Sequence, residues 1–166
     1  MVGIMKAAKR YKADVVLKAL IDFAESEAPT FPDLGRVISL VLYAETGFDN
    51  FRAVRDVMGI GALNELQFRD ELRQCFRQAL NGAGEQDFLR PTNVTIEPAI
   101  YRKKLLVSVT GPLLDVIWFQ VIRLLQIFGP ERLRLCECGR VFFKKGKRLF
   151  CSERCQKRVY MRGYRE

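Results

Sequence analysis

The sequence contains no histidine among its 166 residues, and this absence removes several classes of enzyme. Without an imidazole the chain has no Ser-His or Cys-His nucleophile pair, no histidine general base and no histidine metal ligand. Chemistry by carboxylates or lysines stays open, but the sequence does not group such residues into a recognisable site. We therefore predict that the protein is not an enzyme.

The sequence also lacks a long, uninterrupted apolar run. Residues 1–11 are basic and short, unlike a signal peptide. The most apolar window, residues 112–128, is interrupted by Asp115, Gln120, Arg123 and Gln126, which disfavours a membrane span. These features predict a soluble, cytoplasmic protein that does not associate with membranes.

Cysteine is scarce, but four of the five cysteines fall in the last thirty-one residues. One residue separates Cys136 from Cys138, twelve residues follow, and Cys151 and Cys155 then lie one helical turn apart. Two close pairs at this separation indicate a zinc site. Disulfides are the alternative, but Cys136 and Cys138 are too close to bridge each other easily, and a disulfide framework is typical of smaller secreted chains. We predict one Zn²⁺ held by all four thiolates.

The fifth cysteine, Cys75, lies on the apolar face of a predicted helix, far in sequence from the other four. No histidine is available to activate it, so we interpret it as a buried structural thiol rather than a catalytic one.

Helical periodicity predicts helices over residues 14–27, 33–46, 62–80 and 113–128, with a shorter one from about residue 50. The second of these ends near Gly47 and the shorter one at Gly59. The last is apolar around most of its circumference, so we expect Trp118 and Phe119 to anchor the core. The residues expected to face the core in the other four helices are Val15, Val16, Ala19, Leu20 and Phe23; Leu34, Val37, Leu40, Val41 and Ala44; Phe51, Val54 and Val57 or Met58; and Leu63, Leu66, Leu72, Cys75, Phe76, Ala79 and Leu80.

Between the predicted helices 62–80 and 113–128, apolar residues recur at every second position instead of at helical spacing. The polar stretch 81–91 is predicted to be a loop, and the alternation around Val94 and Ile96 and from Leu105 to Val109 predicts an antiparallel β-hairpin. The predicted fold class is therefore α+β: a mainly helical N-terminal domain with one hairpin, residues 1–130, followed by a small zinc finger, residues 131–166.

Within the predicted finger, the spacer 139–150 has two apolar-rich ends around a basic glycine turn, which predicts a second β-hairpin. Gly139 would let the backbone turn tightly, with its amide aimed at a cysteine sulfur. Ser152 is a suitable start for a helix that carries the second cysteine pair. The order of knuckle, hairpin and helix is that of a treble-clef finger, and a segment this small needs its metal to fold.

Positive charge is concentrated in the same segment. Residues 132–166 hold twelve basic and three acidic residues, a net charge of +9, whereas residues 1–131 hold sixteen of each. Four thiolates and one divalent ion would add about −2, which leaves the segment strongly basic. Such a field attracts polyanions.

The basic residues that we predict to contact nucleic acid lie in the turn and along the final helix. They are Lys144, Lys145, Lys147, Arg148, Arg154, Lys157, Arg158, Arg162 and Arg165. Arg158 and Arg162 are the candidates for reading bases, while Val159 and Met161 interrupt the stripe and are expected to face the hairpin. DNA is the predicted partner. RNA is an alternative, because Phe142, Phe143 or Tyr160 could stack on unpaired bases. Two further alternatives remain. The basic face could simply be solvated, or the finger could be a zinc-stabilised module that binds an acidic protein partner.

The residues around the two cysteine pairs resemble the CGNR-type zinc finger family. The likeness covers about residues 132–166, from the run Arg134–Phe142 to the run Phe150–Arg158, and the family's signature tetrapeptide is represented by Cys155-Gln156-Lys157-Arg158. The resemblance implies a finger at the C-terminus of a mostly helical domain, which binds DNA in bacterial transcription regulators. The N-terminal domain would then sense a small-molecule effector or mediate self-association.

Overall fold

The computed structural model describes residues 11–45, 64–81, 93–101 and 104–163. The short helix predicted from about residue 50, most of the predicted loop 81–91 and Arg165 lie outside these ranges. The N-terminal part contains α1 (Ala13–Ala24), α2 (Phe31–Leu42), α3 (Glu65–Asn81), β1 (Thr95–Tyr101), β2 (Lys104–Thr110) and α4 (Leu113–Phe128). A 3-10 turn (Pro130–Arg132) leads to β3 (Leu133–Leu135), β4 (Val141–Phe143) and α5 (Glu153–Gly163).

The predicted fold class is confirmed. A mainly helical N-terminal part with a small hairpin precedes a four-cysteine cluster associated with two short antiparallel strands. The bounds of α4 agree with the predicted range 113–128, because Pro112 caps its start and Gly129, at φ +72°, ends it.

Helix α2 begins two residues before the predicted start. Thr30 caps it reciprocally with Asp33: the Thr30 hydroxyl accepts from the Asp33 amide at 3.4 Å, and the Asp33 carboxylate accepts from the Thr30 amide at 3.0 Å. Pro32 is compatible with the first helical turn, where its missing N–H would have no partner. The hydrogen bonds from the Thr30 hydroxyl and amide lower the pKa of Asp33.

The core lies between the four N-terminal helices. The ring of Phe68 joins three of them, with its centroid 6.1 Å from that of Phe23 and 5.9 Å from that of Trp118. Trp118 is buried as predicted, and Phe119 is partly buried against the core. Aromatic contacts of this kind add to the stabilisation that comes from area burial alone.

The buried faces of two helices differ from the predicted ones. In α1, Leu17 and Ile21 are buried whereas Val15 is half exposed; in α3, Phe68 is buried whereas Leu66 is half exposed. Helix α1 is apolar at most positions, so the apolar pattern alone does not fix its orientation. Its exposed side is marked instead by the i, i+4 ion pair of Lys18 and Asp22, at 2.6 Å.

The hairpin of β1 and β2 is antiparallel and in continuous register from Thr95 opposite Thr110 to Tyr101 opposite Lys104. Both strands are longer than predicted and leave two connecting residues, 102–103. At the base of the hairpin Val109 is fully buried in the core.

Strands β3 and β4 pack on the helices through their apolar side chains. Leu133 and Val141 are buried in the same cluster as the helical core, and the Phe143 ring lies 5.3 Å from that of Phe128 at the end of α4. These contacts attach the segment that carries the cysteine cluster to the N-terminal part. No helix in the described ranges is long and apolar enough to cross a membrane.

Candidate metal centre and basic surface

The strand pairing next to the cysteines differs from the prediction. A hairpin was predicted within residues 139–150, but β4 pairs with β3, so that Leu133 lies opposite Phe143 and Leu135 opposite Val141. The prediction was wrong because three-residue strands are too short to show alternation, and because the turn that sets their register contains Cys136 and Cys138. The first cysteine pair therefore forms the tip of the hairpin.

The single-residue spacing of Cys136 and Cys138 is accommodated by a tight turn. The Cys136 amide donates to the Arg140 carbonyl at 2.8 Å, and the Gly139 amide donates to the Cys136 carbonyl at 2.8 Å. Gly139 has φ +81°, a conformation that residues with a Cβ rarely adopt. The Gly139 amide thus closes the turn rather than pointing at a sulfur as predicted.

The second pair is presented by the start of α5, as predicted. The Ser152 hydroxyl accepts from the Cys155 amide at 3.2 Å, and the Ser152 carbonyl accepts from the Gln156 amide at 3.1 Å. Ser152 therefore caps the helix. Cys151 precedes the cap and Cys155 lies in the first turn, so both sulfurs reach the same point.

The four sulfur atoms of Cys136, Cys138, Cys151 and Cys155 lie within 4.8 Å of one another. The Cys151 sulfur is 3.5 Å from that of Cys138 and 3.4 Å from that of Cys155. These separations exceed a disulfide bond of about 2.05 Å. They are close to the roughly 3.8 Å expected between thiolates in a tetrahedron with bonds of about 2.3 Å. The cluster could hold a metal ion.

The surroundings of Cys136 favour its thiolate. Burial raises the pKa of Cys136, but hydrogen bonds from the backbone amides of Cys138 and Cys151 and from the neighbouring thiols outweigh it and bring the pKa to about 7. The Cys151 amide lies 3.4 Å from the Cys136 sulfur. The hydrogen bond from Ser152 lowers the pKa of Cys155. The pKa values of two of the four thiols are therefore lowered, which favours their thiolate forms.

The other two thiols have the opposite tendency. Burial raises the pKa of Cys138, and burial together with hydrogen bonding among the thiols raises the pKa of Cys151 to about 12. A cation at the centre would reverse this preference by favouring all four thiolates. Outside the cluster, burial also raises the pKa of Cys75 to about 12, which agrees with an unreactive thiol.

Arg148 was predicted to contact nucleic acid, and the structure places its side chain along the backbone of the cluster. Its Nε donates to the Phe150 carbonyl at 2.8 Å, its Nη2 donates to the Cys151 carbonyl, and its guanidinium carbon lies 6.0 Å above the Phe142 ring. These contacts hold the loop of residues 144–150 against the second cysteine pair. No sequence pattern predicts these contacts, since both hydrogen-bond acceptors are backbone atoms.

All eight predicted contact residues within the described ranges, Arg148 included, fall into two groups by exposure. Lys144 is half-buried, and the remaining seven, Lys145, Lys147, Arg148, Arg154, Lys157, Arg158 and Arg162, are exposed. On α5 the spacing of 100° per residue places Arg154, Lys157, Arg158 and Arg162 along one side of the helix.

Met161 lies among the basic residues of α5. It was expected to face the hairpin, but its side chain is 58% exposed, whereas Val159 is half-buried. At 100° per residue, Met161 falls between Lys157 and Arg154 on the helix circumference. The exposed side of α5 therefore combines four cations with one apolar side chain.

Two acidic residues at the end of α1 attach the first cysteine pair to the helices. The Glu25 carboxylate accepts from the Val141 amide at 3.2 Å, and the Glu27 carboxylate lies 2.9 Å from the Arg140 guanidinium. Sequence reasoning missed both contacts. The only signal was a pair of acids in the last turn of the helix predicted over residues 14–27, which by itself also fits a solvated helix end.

Arg69 and Arg73 of α3 support the same end of α1. Arg69 donates to the Glu27 carbonyl at 3.1 Å, and Arg73 donates to the Ala24 carbonyl at 3.0 Å and to the Ser26 carbonyl at 3.4 Å. The two arginines thereby satisfy carbonyl groups at the end of α1 and in the residues just beyond it, which the helix itself leaves without partners.

An open cleft of about 820 Å³ separates the end of α1 from the cysteine cluster. Its lining includes three acidic residues of the N-terminal part and three basic residues of the C-terminal part: Asp22, Glu25 and Glu27, and Arg140, Arg154 and Arg158. Part of the basic side of α5 therefore lines the same cleft as carboxylates of the N-terminal part.

Fold and site together define a mainly helical protein with a C-terminal four-cysteine cluster that could hold a metal ion. Comparisons of the chain with protein-family models, with curated proteins and with solved structures find no match. The resemblance to the CGNR-type finger thus depends on the residues of the chain alone.

Proposed function

We propose that the protein binds one Zn²⁺ through Cys136, Cys138, Cys151 and Cys155 and uses the surrounding basic surface to bind duplex DNA as a bacterial transcription regulator. The observation that carries the proposal is the location of this surface. The positive excess of the sequence lies in residues 132–166, and the cations of α5 project from the helix that also supplies Cys155.

Zinc is the metal that fits the ligand set best. Four thiolates in a closed arrangement are typical of structural zinc, and hard cations such as Mg²⁺ or Ca²⁺ prefer oxygen ligands. All four sulfurs come from this chain, which would leave no coordination position for a substrate. The role of the ion is then to stabilise the turn of β3 and β4 and the start of α5.

Duplex DNA is favoured over single-stranded RNA by the positions of the aromatic residues. Of the three rings predicted as candidates for base stacking, Phe142 is only 6% exposed and Phe143 packs against Phe128. Tyr160 is 57% exposed, but its ring lies 6.2 Å from that of Phe150. A stacking platform for successive unpaired bases needs several free ring faces. In contrast, α5 presents cations along one side, the arrangement needed for backbone phosphates.

The exposed Met161 suits a helix that lies in the major groove. Apolar side chains there contact the methyl group of thymine, while arginines contact guanine and phosphates. In this proposal Arg158 and Arg162, on the same exposed side of α5 as Met161, contact base edges. The turn of residues 144–147 contacts the backbone, and the N-terminal part senses an effector or mediates self-association.

The experiment is a fluorescence-anisotropy titration of a labelled 20-base-pair duplex with zinc-loaded protein at 50 to 200 mM salt. We expect the logarithm of the binding constant to fall linearly with the logarithm of salt concentration, by about 0.9 per phosphate contacted. The quadruple variant Lys144→Ala, Lys145→Ala, Arg158→Ala, Arg162→Ala should reduce both the affinity and the slope.

The matched control changes net charge equally but away from the cysteine cluster. It replaces the exposed residues Lys12, Lys18, Arg36 and Arg77 by alanine. Binding like that of the wild type is expected for the control. Equal losses in the two variants, or no duplex binding at 50 mM salt, would refute the proposal. Pull-down of an acidic protein that survives nuclease treatment would then favour the protein-interaction alternative.

A further inference from the structure

Three arginines line the cleft between the end of α1 and the cysteine cluster: Arg140, Arg154 and Arg158. Arg154 and Arg158 are four residues apart on α5, so they are neighbours on one side of the helix. Arg140 lies just before β4, outside both the basic turn and the final helix, and was not predicted to contact nucleic acid. Because its side chain lines the same cleft and is half exposed, Arg140 is a third cation beside the surface that we propose for DNA.

The position of Arg140 is fixed by the turn of the first cysteine pair. Its carbonyl accepts from the Cys136 amide at 2.8 Å, and the next amide, that of Val141, donates to the Glu25 carboxylate at 3.2 Å. The backbone on both sides of the Arg140 side chain is therefore held by the cysteine turn and by the end of α1.

The three carboxylates that line the cleft have different partners. Asp22 pairs with Lys18 of its own helix at 2.6 Å, and Glu25 accepts from a backbone amide of β4. Glu27 pairs with the Arg140 guanidinium at 2.9 Å. Glu27 is therefore the carboxylate that is directly bonded to one of the cations of the cleft.

The backbone of Glu27 is held in place while its side chain stays open to solvent. Arg69 donates to the Glu27 carbonyl at 3.1 Å, and Arg73 donates to the Ser26 carbonyl at 3.4 Å. The Glu27 side chain is 87% exposed. A carboxylate and a phosphate use the same charge-assisted hydrogen bonds to a guanidinium, so Glu27 occupies donors of Arg140 that a phosphate could use.

The ion pair of Glu27 and Arg140 is not needed to attach the cysteine cluster. Leu133 and Val141 are buried in the core, whereas exposed ion pairs contribute little to stability. The pair does change the charge that an approaching polyanion meets. The carboxylate offsets the guanidinium, and it repels phosphates that come within the Debye length of roughly 8 Å at physiological salt.

We propose that Glu27 is an autoinhibitory residue of the DNA-binding surface: it occupies Arg140 in place of a phosphate and so keeps this cation out of DNA binding. The inference rests on the proposed binding of duplex DNA and adds a regulatory contact to it. Phosphate contacts carry no sequence information, so their loss lowers the affinity for every duplex. The N-terminal part thereby weakens sequence-independent binding by the C-terminal surface.

The test is the anisotropy titration of the 20-base-pair duplex with full-length, zinc-loaded Glu27→Gln at 50 to 200 mM salt. At 50 mM salt the variant should bind at least about threefold more tightly than the wild type, the order of one exposed ion pair. Its salt slope should be steeper by about 0.9, because Arg140 then neutralises one further phosphate.

Glu45→Gln is the matched control, since it makes the same change of charge at an exposed residue. Glu27 precedes α2 and Glu45 follows it, so the helix separates them by about 18 Å. This distance exceeds the Debye length, and the control should bind within about 1.5-fold of the wild type.

A double variant separates the release of Arg140 from a general loss of negative charge. Glu27→Gln combined with Arg140→Gln frees no cation, so its salt slope should equal that of the wild type. Zinc content and circular dichroism should be the same in all variants, because the buried contacts of β3 and β4 are unchanged.

The outcomes distinguish this inference from the proposed function. Equal duplex affinity of the wild type and Glu27→Gln would overturn the inference alone, as would a double variant with the steeper slope of Glu27→Gln. Absence of duplex binding by both proteins would overturn both proposals. Binding by Glu27→Gln but not by the wild type would refute duplex binding by the wild type and support the inhibitory role of Glu27.

Discussion

The guanidinium of Arg140 lies 2.9 Å from the carboxylate of Glu27, an ion pair that links the turn of the first cysteine pair to the end of α1. Next to it, the Glu25 carboxylate accepts from the Val141 amide. The pair itself is largely exposed, and exposed ion pairs contribute at most about 1 kcal/mol. Burial of Leu133 and Val141 must therefore provide most of the attachment of the cysteine cluster to the helices.

This attachment predicts a large difference between two variants. Leu133→Ala removes a fully buried side chain and should lower the free energy of unfolding of the zinc-loaded protein by about 3 kcal/mol. Glu27→Gln should lower it by less than about 1 kcal/mol. Denaturant unfolding followed by circular dichroism measures both values. A greater loss for Glu27→Gln would show that the ion pair, rather than burial, attaches the cluster.

Metal binding should release protons and weaken in acid. At pH 7.5 the metal-free thiols of Cys138 and Cys151 are protonated because their pKa values are raised, so an entering cation displaces at least these two protons. Below the pKa of about 7 of Cys136, that thiol also becomes protonated and competes with the metal. Affinity should therefore fall at least about 100-fold per pH unit on acidification from pH 7.

Competition with a chromophoric chelator at pH 6, 7 and 8 measures this dependence, and calorimetry in buffers of different ionisation enthalpy counts the protons. An affinity that does not change between pH 6 and 8 would mean that the four thiols are not the ligands.

Arg148 and Lys147 are neighbours of equal charge, so their alanine variants separate structural from ligand-binding roles. Arg148→Ala loses the hydrogen bonds to the Phe150 and Cys151 carbonyls and the contact with the Phe142 ring. It should lower both stability, by about 1 kcal/mol, and zinc affinity. Lys147→Ala, at an exposed position, should weaken only duplex binding. Equal zinc affinity in the two variants would mean that the Arg148 contacts do not support the cluster.

Gly139 and Gly146 form a second matched pair. Both have positive φ, +81° and +61°, and a Cβ added at either position would meet no atom within 4 Å. Alanine at either position should cost about 1 to 2 kcal/mol through backbone conformation alone. Only Gly139→Ala should reduce zinc affinity, because Gly139 turns the chain between Cys138 and β4. Gly139→Asn, which tolerates this conformation better, should restore part of the affinity.

Much of the fold could be predicted from local signals. Helix α4 was bounded by Pro112 and Gly129, and the start of α5 by Ser152, because these residues act on the few positions beside them. The grouping of the four cysteines followed from their spacing.

The contacts that were missed depend on tertiary structure. The pairing of β3 with β4 involves only three residues in each strand, too few for alternation to be read. Arg73 reaches carbonyls at the end of α1, and Arg148 reaches carbonyls beside Cys151. Backbone acceptors carry no sequence signature, so neither contact could be predicted from the sequence.

The central claim is that one zinc ion is held by all four cysteines, since the finger and its basic helix depend on it. Metal analysis of the purified chain together with X-ray absorption at the zinc edge tests this directly. We predict one zinc per chain and four sulfur neighbours at about 2.3 Å. Less than one zinc per chain under reducing conditions, or a shell containing nitrogen or oxygen in place of a sulfur, would contradict it.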